Sequence, residues 1–325
     1  MRVACIYLAA IGVAVLVLGR ANSQPANEEA IKTAKNDASR ALAAAKGFYE
    51  NELATLRRLH DEGAVSDSRV DQCRETLARL DHDRANLDQR QDDLVKSLRE
   101  IVAIREQRLN SLSQRNGDSG VLQPERDKAE LAAAYARFQL DRADNRREEA
   151  RRELQRVVDT GDKTLQRLEA SGDRNIISEA DLEQLRATVE FYRYQLLRLE
   201  GKKDEALKAL KKHVATRARI FENYEKLRDK QMAGEAETLF AKMQLLRSQS
   251  TLAVREENLG AVRKNLAEQV ATLEKLVKLH EAGETGPNRR LTVLLKAHVA
   301  SQKYLLAAAT DVKALKQLPF ADPLF

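Results

Sequence analysis

Tryptophan is absent from the 325 residues, and aromatic side chains make up only 4% of them. Glycine occurs 13 times, proline 5 times and cysteine twice. So few aromatics and turn residues argue against two or three globular domains, which length alone would allow. They point instead to one elongated bundle with a thin core. No convincing strand run is present. Only Cys73 lies beyond the N-terminal segment, so no internal disulfide can form there. What is abundant is charge: 33% of residues are Asp, Glu, Lys or Arg, the profile of long helices and coiled coils.

The one long apolar run is at the start. Arg2 precedes an uncharged stretch from Val3 to Gly19, followed by Arg20 and Ala21-Asn22-Ser23. That order of positive, apolar and small-residue regions is a secretory signal, residues 1–23, expected to be cleaved after Ser23. A retained membrane anchor is the alternative. Removing residues 1–23 takes away two arginines and no acid, lowering the net charge from +6 to +4. Such a balanced surface suits a solvated helix face. The densest basic stretch, Lys202 to Arg219, includes acids and lacks interleaved aromatics, which argues against a nucleic-acid groove.

A helix-end pattern recurs roughly every 55 residues: Leu-x-x-Leu, a few polar residues, then Gly. Its copies are Leu56, Leu59, Gly63; Leu109, Leu112, Gly117; Leu165, Leu168, Gly172; Tyr224, Leu227, Gln231; and Leu276, Leu279, Gly283. The spacing predicts an all-α, elongated antiparallel bundle of about six long helices over residues 24–318, each repeat being one helix and one turn. A short tail follows at 319–325. Val70, Cys73, Leu77, Leu80, Leu87, Leu94 and Leu98 form a heptad-like stripe, so one continuous helix is expected over 67–112, about 70 Å long. The stripe of the fourth helix resumes unchanged past Gly201, which favours a flexible spot there; a hairpin turn is the alternative. Cys73 falls on the apolar seam, as a small buried hydrophobe would.

The segment Leu56-Arg57-Arg58-Leu59-His60-Asp61-Glu62-Gly63-Ala64-Val65-Ser66, with Val70 and Leu77 after it, resembles the α-helical hairpin tip of periplasmic membrane-fusion (adaptor) proteins. The copy Leu279-His280-Glu281-Ala282-Gly283, followed by Leu291, Leu294 and Leu295, resembles the helical repeats of TolC-like channels. The resemblance implies that Gly63, Ala64, Val65 and Ser66 form a partner-docking tip, with a second docking turn over Gly283, Gly286 and Pro287. It also implies partners among envelope transport components. The β-rich domains and barrel strands of those families have no counterpart in this sequence. Helix ends alone also require this turn chemistry.

No phosphate loop, dinucleotide fingerprint or His-Glu-x-x-His motif is present. None of His60, His82, His213, His280 and His298 has a Glu three residues before it, as a helical di-iron site needs. Asp81-His82-Asp83 is read as a solvated helix face rather than a metal site. His60 and His280 occupy equivalent places at two helix C-termini, where an imidazolium would be favoured. The expectation is therefore a non-enzymatic exported protein with no cofactor, metal, nucleic-acid or small-molecule partner. It would act as an envelope scaffold or adaptor-like module, binding proteins through helix faces and hairpin tips. A self-associating structural spacer and a membrane-anchored periplasmic coiled coil are the alternatives.

Overall fold

The computed structural model describes residues 25–114, 123–171, 179–283 and 289–310. Among these the chain is all-helical, with ten α-helices and no strand. They are α1 (Pro25–Asp61), α2 (Asp67–Asp88), α3 (Gln91–Gln114), α4 (Gln123–Ala143), α5 (Arg147–Ser171), α6 (Glu179–Leu199), α7 (Lys203–Asp229), α8 (Glu235–Arg255), α9 (Leu259–Glu281) and α10 (Arg289–Ala308). No helix among the described residues is long and apolar enough to cross a membrane. The expected signal segment, Gly117, Gly172 and the 319–325 tail lie outside the described residues. The last helix, expected to reach Leu318, ends at Ala308.

Six long helices were expected, and the structure corrects this. The helix anticipated over 67–112 is two, reversing at Gln89-Arg90. The chain also reverses at Asn145, at Gly201 and at Glu257. Cross-helix pairs show that each break is a hairpin. Arg105 reaches back to Glu75, Arg137 to Glu153, Lys212 to Glu190 and Lys242 to Glu268. Gly201 is thus a chain reversal, not a flexible spot.

The four reversals share one geometry. Gln89, Asn145, Gly201 and Glu257 all have φ between 57° and 79°, and each lies 56 residues after the one before. The N–H of Gln89 donates to Asn86 O (3.1 Å) and that of Arg90 to Ala85 O (2.8 Å). The same two bonds recur at Asn145, Gly201 and Glu257. This is the Schellman ending, which satisfies helix carbonyls through a left-handed residue. Only one of the four is glycine. Three turns are clasped across the left-handed residue by an ion pair: Asp88–Arg90 (3.1 Å), Asp144–Arg146 (3.2 Å) and Glu200–Lys202 (2.9 Å). In the fourth, Asn258 accepts from the Ala261 N–H at 3.0 Å and caps α9 instead.

The core follows the same period. Leu42, Leu98, Leu154, Leu210 and Leu266 stand 56 residues apart and are all at most 2% exposed. Cys73 is buried, as expected, and Ala129, Ala241 and Ala297, at the same place in other repeats, are buried too. The repeated unit is therefore a pair of helices, α2–α3, α4–α5, α6–α7 and α8–α9. Helix pairs are a recurrent unit of repeat proteins.

By contacts the chain divides into two compact units. The first comprises residues 1–51, 83–90 and 217–325, the second 52–82 and 91–216. In the first unit α9 packs between α8 and α10, around Leu239, Met243, Leu273, Leu276, Leu291 and Leu295. There the first and last described helices meet: Tyr49 Oη donates to Arg290 O at 3.3 Å, and the Arg289 guanidinium lies over the Phe48 ring. In the second unit α3 packs on α4, α4 on α5 and α5 on α6. Its core gathers Tyr135, Phe138, Phe191, Tyr192 and Tyr194, with Tyr135 and Tyr192 ring centroids 4.7 Å apart.

Candidate functional site

The expected docking tip, Gly63 to Ser66, joins α1 to α2 and lies in the second unit. Gly63, Ala64 and Ser66 are exposed and Val65 is partly buried. Gly63 has φ 73°, and its N–H and that of Ala64 close another Schellman ending on His60 O (2.8 Å) and Leu59 O (2.7 Å). Ser66 O accepts the Arg69 N–H at 3.0 Å, starting α2. Outside the backbone, His60 Nε2 meets Asp67 Oδ1 at 2.6 Å, clasping one helix end to the next helix start. The tip is thus a fixed turn presenting small side chains.

At the other expected turn, Gly283 is exposed with φ 77°. Gly286 and Pro287 lie outside the described residues. The two histidines placed at equivalent helix ends differ in surroundings. His60 is exposed, whereas His280 is only 6% exposed and its Nδ1 lies 2.9 Å from Leu276 O.

A further exposed turn follows the pattern copy Tyr224, Leu227, Gln231. Gln231 to Gly234, in the first unit, lies 168 residues after Gly63 to Ser66, three repeats of 56. Gln231 has φ 58°, and its N–H and that of Met232 close the same Schellman bonds on Arg228 O and Leu227 O. The exposure pattern is identical, with only the third residue partly buried. Met232, in the place of Ala64, is 71% exposed. Tyr224, Leu227 and Gln231 marked this turn in the sequence; its match to Gly63–Ser66 lies in the exact 56-residue step.

The hairpins of the second unit are laced to one another by contacts that also step by 56. Gln91 donates to Ala143 O at 2.7 Å, and Arg147 to Leu199 O at 2.8 Å. Arg137 pairs with Glu106 at 2.9 Å, and Arg193 with Asp162 at 2.7 Å. Within the first hairpin, Glu75 accepts from Arg105 Nε and Nη2 at 3.0 and 2.9 Å, and from Arg79. Arg105 Nη1 also donates to Ala132 O at 2.7 Å on the next hairpin. Burial pushes the Glu75 carboxyl up, but the two guanidiniums outweigh it and hold it well below the usual carboxylate range.

The stretch Asp81-His82-Asp83 is not the solvated face expected. Asp83 is 2% exposed, Asp81 and His82 are partly buried, and His82 Nδ1 is buried without a hydrogen bond. Burial, with Arg142 and Arg79 nearby, pushes the His82 imidazole down to about 4. In the first unit His298 is likewise held well below its ordinary value by burial and by Arg247. No group of three or more His, Cys, Asp or Glu side chains could hold a metal ion among the described residues. What the described geometry offers is a set of fixed, repeated turns.

Comparison with family models, with curated proteins and with solved structures found no match to this chain.

Proposed function

We propose that the chain is a non-enzymatic helical-hairpin scaffold. It would bind protein partners through the exposed turns and helix faces of its hairpins, as an adaptor-like module of the cell envelope. The observation that carries this reading is the pair of matching turns at Gly63–Ser66 and Gln231–Gly234. Each is held by the same backbone bonds and displays its second residue, Ala64 or Met232, to solvent. An exposed methionine on a rigid turn is an adaptable apolar contact. Export rests on the charge and apolar pattern of residues 1–23.

The test is in-cell photo-crosslinking from position 64 and, separately, from position 232, with mass-spectrometric identification of what is trapped. An envelope protein captured from either position supports the scaffold. Crosslinks confined to copies of this chain would replace it with a self-associating spacer.

A further inference from the structure

Equivalent positions on successive hairpins carry different pairs. On the α4–α5 hairpin, Arg137 Nε donates to Glu153 at 2.9 Å, joining the two helices across their outer face. One repeat on, the positions hold Arg193 and Ala209, and Arg193 pairs with Asp162 instead. Two repeats on, they hold Gln249 and Asn265, two neutral amides. There, between α8 and α9 in the first unit, a groove of about 450 Å³ opens. Its lining joins apolar Leu252, Ala253 and Ala261 with the amides of Gln249 and Asn265 and the charged Glu256, Lys264 and Glu268. Each amide offers both donors and an acceptor, the complement of a peptide backbone. The groove therefore sets two amides beside apolar lining, where the α4–α5 hairpin has an ion pair.

The described end of α10 lies level with one end of this groove. α10 runs antiparallel to α9, since Lys296 pairs with Glu281 at 2.7 Å and Lys303 with Glu274 at 2.8 Å. Seven residues forward on α10 are thus seven residues back on α9. The same step puts Ala308, the last residue of α10, level with Gln269, next to Glu268 at one end of the groove. Residues 311–325 follow. Fifteen residues span up to about 50 Å when extended, while passing around a helix requires only its diameter of about 10–12 Å. Their sequence contains Leu315, Leu318 and Phe320, with Pro319 and Pro323 favouring extended backbone.

We propose that the α8–α9 groove seats residues 311–325 of this chain as an extended segment. Gln249 and Asn265 hydrogen-bond its backbone, and Leu252, Ala253 and Ala261 receive its apolar side chains. The proposal is independent of the scaffold reading.

The full chain carrying a photo-reactive benzoylphenylalanine at position 264 tests it. Irradiation should yield crosslinks to peptides from residues 311–325, and mixing isotope-labelled with unlabelled chains should show them to be intrachain. The double substitution Gln249→Arg and Asn265→Glu, which copies Arg137 and Glu153, should cut the yield about five-fold or more, as loss of backbone hydrogen bonds implies. Leu318→Asp with Phe320→Asp should do the same, with the helical circular-dichroism signal intact in both variants. Crosslinks to another part of the chain, to a second copy, to a different protein or to nothing would overturn the proposal. So would a yield that neither pair of substitutions reduces.

Discussion

The two units bury polar groups in different ways. In the second, buried or half-buried polar side chains are largely charged and reach across to another helix: Glu75 to Arg105, Asp127 to Thr164 and Arg167, Arg137 to Glu106 and Glu153. In the first, many are hydroxyls that turn back on their own helix. Ser248 donates to Gln244 O, Ser250 to Leu246 O, Thr251 to Arg247 O and Ser301 to Ala297 O. Gln269 crosses between helices, donating to Ser250 Oγ at 2.9 Å, and the Asp83 carboxylate is a favourable charge for the buried Arg247. The difference concerns register. A cross-helix ion pair specifies which residue sits opposite which, whereas a back-bonded hydroxyl satisfies its own group and specifies nothing about its neighbour. One turn geometry and one 56-residue step are thus compatible with two kinds of interior.

The largest effect should come from breaking the second unit's buried pair. Arg105→Met leaves Glu75 ionised with Arg79 alone and should cost about 3–5 kcal/mol in urea unfolding. Ser301→Ala in the first unit removes a bond to its own helix and should cost about 1 kcal/mol or less. Equal costs would erase the contrast.

Acid should act next. Above pH 6.5 His82 is neutral whether the chain is folded or not. As pH falls from 6.5 towards 4, the unfolded chain takes up a proton that the folded one refuses, so stability drops through that window. The loss should be on the order of 2 kcal/mol by pH 4. His82→Phe, which installs the residue found one repeat later at Phe138, should remove that part of the pH dependence. The check is thermal unfolding at pH 7 and at pH 4.5.

Gly161→Ala comes third. A Cβ there would lie 2.5 Å from Val189 Cγ2, where α5 and α6 approach closely. Valine is stiff at χ1, so the expected loss is about 1–3 kcal/mol despite alanine's better helix propensity. The smallest changes concern the shared turn. Gln89→Gly should stabilise by about 0.5–1 kcal/mol and Gly201→Ala should destabilise by a similar amount, because both residues are left-handed. Opposite signs in denaturant midpoints would show that the turns are one motif.

The helical class was legible from composition, and the exposed end at Gly63 from its Leu-x-x-Leu and glycine. The burial of Cys73 was legible from its place on the stripe. The four hairpin reversals were not, for two physical reasons. Three of their left-handed residues are Gln89, Asn145 and Glu257, which supply none of the usual glycine or proline punctuation. The apolar stripe also keeps its step of seven from Leu80 through Leu87 to Leu94, so the pattern continues while the chain reverses. The repeat was measured from the Gly63-type turns, whose lengths vary, and so came out near 55 rather than 56. The turn at Gln231 was legible despite its missing glycine, but the exposure of Met232 on it depends on packing. The burial of Asp83 and the depressed His82 depend on packing from other helices, which the local sequence does not encode.

The 67–114 stretch is a hairpin and not one long helix. Electron–electron distance measurement between spin labels at Ser68 and Asn110 addresses it directly, in a Cys5→Ser, Cys73→Ala background, the second change copying Ala129, Ala241 and Ala297. Packed antiparallel helices 8–10 Å apart put the labels within about 25 Å of each other. A continuous helix would separate them by about 60 Å, and a distance in that range would contradict the account.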